Sequence, residues 1–190
     1  MSQPAQQVLT ELLVLRAQAG QRDAIGLLVR HWHERLLRHA RRSTGAEDAA
    51  LDVMQEAWLD ICRGLWQLDD PARFGPWAYR IVTRRSARWV RQRQRRRQVE
   101  QQQFKQAQAS DPGEPAREPG ELARAETADA VRVALRRLPA DQQAILELRY
   151  VEGFGIEQIA AALGIAAGTV KSRLFHARQH LRTFLHQVDQ

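Results

Sequence analysis

Apolar residues recur at three- and four-residue spacing along most of the chain, and alternating runs bounded by turn residues are scarce. Leu12, Leu13 and Leu15 open a helical segment that runs from 8 to 42 with a break at Ala17-Gln18-Ala19-Gly20. After Asp23, the spacing of Leu27, Leu28, Trp32, Leu36 and Leu37 predicts one apolar stripe, and Ser43-Thr44-Gly45 reads as a stop. A third helix is predicted from about Ala46 to Arg63, with Leu51, Met54, Trp58 and Ile61 on one face. Gly64 to Pro76 reads as loop, broken by Asp69-Asp70-Pro71 and Gly75-Pro76. The next helix is predicted over 76–97. Phe74, Trp77, Ala78, Ile81 and Val82 fall at i, i+3, i+4, i+7 and i+8, so its first half is packed.

The pattern then lapses. Residues 98–121 begin Gln-rich and end in Pro- and Gly-containing turns, with few apolar positions, the composition of a flexible linker. Periodicity returns with Leu122, Val131, Val133, Leu135 and Leu138. Asp141 is expected to cap the following helix, which carries Ile145, Leu146, Leu148 and Tyr150. A turn at Gly153 and Gly155 leads into two closely spaced helices. The expected fold is all-α: two small helical domains, 1–97 and 122–190, joined by a flexible linker over 98–121, with a helix-turn-helix in the second.

Composition narrows the class of partner. At 44% hydrophobic the chain can bury a core, and its net charge of +7 calls for a polyanion, either nucleic acid or an anionic membrane surface. No run approaches the roughly 18 apolar residues of a membrane span, and the N-terminus lacks a signal-peptide pattern, so a cytoplasmic protein without membrane insertion is expected. Cys62 is the single cysteine; an inert packed thiol and a redox role are its two readings. From Arg80 to Arg97 there are nine arginines and no acidic residue, a run that requires solvent or an external anion.

The sharpest local signal lies between Ile156 and Leu174. Ile159 and Leu163 share the inner face of one helix, and small Ala160 lets a second helix approach. Gly164 stands where a tight turn takes a left-handed residue. Ile165, Val170 and Leu174 then lock the second helix, leaving Lys171, Ser172, Arg173, Phe175, His176 and Arg178 outward. Such a helix can enter a DNA major groove, whereas apolar spacing alone would fit an ordinary helical hairpin equally well.

These residues resemble a family. Leu138-Pro139, Leu148-Arg149-Tyr150-Val151-Glu152-Gly153, Ile159-Ala160, Leu163-Gly164-Ile165, Gly168-Thr169-Val170-Lys171-Ser172-Arg173-Leu174 and Ala177-Arg178 look like the fourth conserved region of bacterial sigma factors. Independently, the stretch from Arg16 to Ala24, Asp52-x-x-Gln55-Glu56 and Phe74-x-x-Trp77-x-x-x-Ile81 resemble the second region. The two-part layout is similar to the smallest group, the extracytoplasmic-function factors. The resemblance implies a transcription initiation factor that binds core RNA polymerase and directs it to promoter DNA. Asp52, Gln55 and Glu56 would dock on the polymerase. The loop from Trp66 to Phe74 would capture a flipped base at the minus-ten element. Trp77 and Tyr79 would serve melting, although Trp77 also lies on the apolar stripe. Arg80, Arg84, Arg85, Arg88 and Arg91 would cover phosphates. Lys171, Ser172, Arg173, Phe175, His176 and Arg178 would read the minus-thirty-five element. An anti-sigma partner is a further expectation. The chain departs from the family in carrying Arg85 and Arg88 where Asn and Asp are common, and Gly155 where Ser or Thr usually caps.

Enzymatic readings find little support. Gly153, Gly155 and Gly164 form no phosphate loop, and His176 and His180 lack further metal ligands nearby. No catalytic residue, cofactor or metal site is expected. The main alternative is a free-standing helix-turn-helix regulator, against which the strandless N-terminal half argues. An RNA-binding or membrane-surface protein using the 80–97 arginines would leave the Asp52-x-x-Gln55-Glu56 motif unexplained.

Overall fold

The computed structural model describes residues 3–107, 134–135 and 137–188, and those residues contain helices and turns with no strand. In chain order they are α1 (Gln3–Gln18), α2 (Arg22–Thr44), α3 (Glu47–Gly64), two short 3-10 turns (Leu65–Gln67 and Pro71–Arg73), α4 (Phe74–Ala107), α5 (Ala140–Leu146) with a π-type turn over Glu147–Val151, α6 (Ile156–Leu163) and α7 (Ala167–Val188).

The N-terminal half is a bundle of α2, α3 and α4 with α1 laid across α2. Its centre is apolar by the predicted periodicity. Leu28, Trp32, Leu36 and Leu37 from α2 meet Val53, Met54, Ala57 and Ile61 from α3 and Phe74, Ala78, Tyr79 and Val82 from α4. At about 1.5–3 kcal/mol per large apolar side chain removed from water, this stripe-to-stripe contact is the main source of stability. Gln18 ties α1 to the loop after α3, its Nε2 donating to the carbonyls of Leu65 and Leu68 at 2.8 and 2.9 Å.

Two boundaries differ from expectation. α4 continues ten residues past 97, to Ala107, because Arg and Gln are good helix formers and no Gly or Pro interrupts them before Pro112. The remainder of the expected linker, and the periodic positions Leu122, Val131 and Val133, lie outside the described residues. Asp141 is not the cap of α5. Pro139 holds that position and Asp141 sits in the first turn, where its carboxylate accepts the Gln142 N–H at 3.0 Å.

In the C-terminal half, Ile159, Ala160 and Ala162 of α6 pack with Val170, Leu174 and Ala177 of α7. Gly164 closes α6 at φ 67°, ψ 36°, a left-handed conformation that costs an L side chain about 1 kcal/mol or more. At the start of α6, Gly155 offers no side-chain cap. Gln158 compensates by reaching back to accept the Gly155 N–H at 2.8 Å. The two halves are packed together, with α6 lying against α4.

Candidate nucleic-acid interface

The outer face of α3 carries Asp52, Gln55 and Glu56, all exposed, flanked by exposed Leu51 and Leu59. The i, i+4 spacing points both carboxylates one way, as expected. Arg85 crosses from α4 and binds this face. Its Nη1 donates to Glu56 Oε2 at 2.6 Å and its Nε to Asp60 Oδ2 at 2.5 Å. The structure therefore sets Arg85 apart from its neighbours in the arginine run. Arg80, Arg84, Arg88 and Arg91 are exposed, as are residues 92–98.

The aromatic pair expected to serve melting is divided. Trp77 is half-buried, its ring tilted at 55° to Phe74 with centroids 5.9 Å apart, and so close to Gly64 that a Cβ there would stand 2.9 Å from Trp77 Cζ2. Tyr79 is wholly buried, at 0% exposure. The stripe of α4 is therefore wider than predicted on the Tyr79 side, because Trp32 and His39 of α2 and Phe154, which precedes α6, pack around its ring. In the preceding loop, Asp70 accepts the Ala72 N–H at 3.0 Å, while Trp66 stands 53% exposed. A fixed loop with an exposed indole suits stacking against an unpaired base.

On α7, Lys171, Ser172, Phe175, His176 and Arg178 are exposed and Arg173 is partly so. Two of these already have partners within the chain. Arg173 pairs with Asp141 at 3.4 Å, and Arg178 Nε donates to the Tyr150 hydroxyl at 2.9 Å. His180 lies 2.9 Å from Gln142 Oε1, and among the described residues no group of three His, Cys, Asp or Glu could hold a metal ion. Cys62 is partly buried, and burial pushes its thiol up, away from the reactive thiolate.

The residues that sequence reasoning missed join the halves. α2 presents Arg35, Arg38 and Arg42 along one side, facing the turn after α5. Arg35 meets Glu152 and Arg38 meets Glu147, each at 3.4 Å, and Arg42 also pairs with Glu147. The Glu152 and Glu147 side chains are only 2% and 7% exposed. Burial holds the Glu152 carboxyl above its ordinary range despite the neighbouring Arg35, Tyr79 and Arg38. Burial, and then Glu152, drive the Tyr79 phenol upward, so it stays neutral. Beside them Phe154 lies edge-on to Tyr79 at 5.7 Å. Gly75 makes room, since a Cβ there would come within 2.9 Å of both Phe154 Cζ and the Trp32 ring. The sequence offered no signal for this, because neither Glu147 nor Glu152 belongs to a periodic face.

These features define an all-helical protein in which α7, joined to α6 by a tight turn at Gly164, carries one basic face and α4 carries a separate arginine row. Comparison with known proteins narrows the class. Residues 28–96 match the family Sigma-70 region 2, and residues 128–181 match Sigma-70, region 4. The chain is 34% identical over 168 residues to the ECF RNA polymerase sigma factor SigM of Mycobacterium tuberculosis, covering 88% of this chain and 80% of that one. It is 33% identical over 160 residues to SigE of Mycolicibacterium smegmatis, covering 83% of this chain but 60% of that longer protein. Among solved structures, the sigma factor RpoE of Bartonella quintana, in complex with the anti-sigma factor NepR, is 25% identical with a TM-score of 0.54, over 83% of this chain and 92% of that one. CnrH, solved with the cytosolic domain of CnrY, shares the fold at 22% identity and a TM-score of 0.59, over 94% of this chain and 98% of that one.

The chain belongs to the sigma-70 family of RNA polymerase sigma factors, in its extracytoplasmic-function group. It is a transcription initiation factor that directs polymerase to promoters, and the free-standing regulator is not favoured.

Proposed function

We propose that the work of initiation is divided among three surfaces of this chain. Asp52, Gln55 and Glu56 on α3 dock on a basic helical element of core polymerase. The exposed row Arg80, Arg84, Arg88 and Arg91 on α4 neutralises phosphates of the minus-ten duplex, with Trp66 and Trp77 at the site of strand opening. Lys171, Ser172, Phe175 and His176 on α7 face bases of the minus-thirty-five element, with Arg173 and Arg178 reaching phosphates once freed from Asp141 and Tyr150. The observation that carries this reading is that both motif sets, matched in family order, stand on exposed helical faces. Two domains, the first extending through α4 to about 107 and the second from about 122, fit it.

The chain supplies no catalysis of its own on this reading. Opening a base step costs a few kcal/mol, which stacking and phosphate contacts can offset without a chemical reaction. Its place of action is the cytoplasm, with the polymerase; no helix among the described residues is long and apolar enough to cross a membrane. An anti-sigma partner, as in the RpoE complex, fits the same surfaces.

The test is co-elution with core polymerase. Wild-type protein is expected to bind, and Asp52→Arg/Glu56→Arg to lose binding while keeping its helical circular dichroism. Failure of the wild-type chain to bind purified core would overturn the reading.

A further inference from the structure

Among the described residues, Glu56 is the one member of the Asp52, Gln55 and Glu56 set whose side chain another helix holds. Asp52, Glu56 and Asp60 follow at i, i+4 and i+8, so α3 stacks three carboxylates in a column on one face. Like charges at that spacing repel. Arg85 of α4 answers two of the three. Its Nε and Nη2 each lie 2.5 Å from Asp60 Oδ2, and its Nη1 lies 2.6 Å from Glu56 Oε2. Asp52 has no such partner among the described residues.

The exposures rank the two contacts. The Arg85 side chain is 24% exposed and that of Asp60 31%, whereas that of Glu56 is 62% exposed. The Asp60 end is the sheltered anchor, and Glu56 takes the outer prong of the guanidinium fork. Only Oε2 of Glu56 is engaged, which leaves Oε1 and its lone pairs open to an outside donor. Beside it a groove of about 320 Å³ opens between α3 and α4, with Asp52, Glu56 and Asp60 on one wall and Arg85, Arg88 and Trp89 on the other. A guanidinium or ammonium from a partner can enter there and reach Oε1 without displacing Arg85.

Two effects of Arg85 on such a contact oppose each other, and their magnitudes decide. As a like charge it repels an incoming cation. At about one Debye length, ~8 Å in physiological salt, a single screened charge changes affinity by less than about twofold. As a clamp it removes beforehand the rotamer freedom that Glu56 would otherwise lose on binding. Fixing one long side chain in advance is worth about two- to tenfold in affinity. The clamp outweighs the repulsion.

We propose that Arg85 is a positioning residue for polymerase docking: anchored on Asp60, it sets Glu56 on the outer face of α3 so that Glu56 Oε1 receives a cation of the core polymerase. The inference rests on the docking role proposed above for Asp52, Gln55 and Glu56, and it places Arg85 and Asp60 behind that surface. Lysine is no substitute at this position. An ammonium keeps the charge but lacks the planar fork that spans two carboxylates in a fixed direction.

The experiment is a double-mutant cycle on the full-length chain, read as the Kd for purified core RNA polymerase, with helical circular dichroism and urea midpoint recorded for each variant. Arg85→Gln is expected to weaken binding about two- to tenfold, and Arg85→Lys to weaken it nearly as much. Glu56→Gln should then cost less in the Arg85→Gln background than in the wild type, because the clamped geometry is already gone. Asp52→Asn should cost the same in both backgrounds, since Arg85 does not touch it. A general loss of stability would not couple Arg85 to Glu56 while sparing Asp52. Tighter binding by Arg85→Gln would overturn the proposal and make Arg85 a competitor for Glu56. Full binding by Arg85→Lys would overturn it too, since charge alone would then suffice. Wild-type binding that Asp52→Asn weakens, with Arg85 and Glu56 additive, would sink this inference and keep the docking surface. A wild-type chain that never binds core would sink both.

Discussion

Two rows of arginine on two adjacent helices have opposite fates. Arg35, Arg38 and Arg42 on α2 are matched by carboxylates of the C-terminal half, whereas Arg84, Arg88 and Arg91 on α4 face solvent. Residue type and helical spacing are nearly the same. What differs is whether a second element brings acid within reach. A basic stripe is therefore a nucleic-acid surface only where the fold leaves it unpaired, and Arg85, held by Glu56 and Asp60, shows that even one position within a run can change sides.

The largest effect expected from disturbing this contrast is at Glu147. Replacing Glu147 by Gln leaves Arg38 and Arg42 facing a neutral group, and should cost about 3–5 kcal/mol as a broken buried pair, read as a lower urea midpoint. The same neutralisation has no counterpart at Arg84, Arg88 and Arg91, which make no ion pair among the described residues, unlike Arg85.

A second test adds a cation to the satisfied side. His39 is buried on α2 between Tyr79 and Thr83, its Nε2 2.9 Å from Thr83 Oγ1. Burial, and then Arg42, hold its pKa down to about 4 from 6.5. Between those values the unfolded chain binds the proton and the folded one does not, so stability rises with pH in that window. The full contribution is present above pH 6.5 and is lost as pH falls towards 4, a change of about 3 kcal/mol. Denaturation midpoints measured from pH 7 to 4 should show this slope, and His39→Gln should flatten it.

Within the α4 run, Arg85→Ala and Arg88→Ala should separate. Loss of Arg85 releases Glu56 and Asp60 and should lower stability by about 1 kcal/mol or less, the range for a partly exposed pair, with little change in salt dependence of DNA binding. Loss of Arg88 should leave stability within about 0.5 kcal/mol while reducing the salt slope of DNA binding by about one unit, measured by fluorescence anisotropy against potassium chloride concentration. Equal behaviour of the two variants would remove the distinction drawn between them.

A further effect is expected at Gly75. Gly75→Ala introduces a methyl group against Phe154 and Trp32, neither of which can yield freely. It should loosen the seat of Phe154 and cost about 1–3 kcal/mol of stability, read as a lower urea midpoint, with helix content unchanged.

Much of this was legible beforehand. The periodicity of Leu28, Trp32 and Leu36, of Met54 and Ile61, and of Val170 and Leu174 named core residues that are buried, and Gly164 takes the left-handed turn the sequence asked of it. Asp52, Gln55 and Glu56 are exposed, but so is Leu51, which the periodicity set on the inner face of α3 with Met54 and Ile61. Tyr79 and Arg85 were not legible in the same way. Each lies beside the apolar stripe of α4, where exposure depends on which neighbouring element arrives, and helical periodicity carries no information about that neighbour.

By itself the sequence determined the helices, most of their inner faces, the tight turn at Gly164 and the excess of positive charge, because these depend on spacings within a few turns and on residue totals. Only the tertiary structure decided which arginines are satisfied, that Tyr79 is covered and that Glu147 and Glu152 are buried. Those outcomes depend on groups more than a hundred residues apart in sequence meeting at 3.4 Å, and charge pairing over such separations is set by how helices pack, not by what each helix contains.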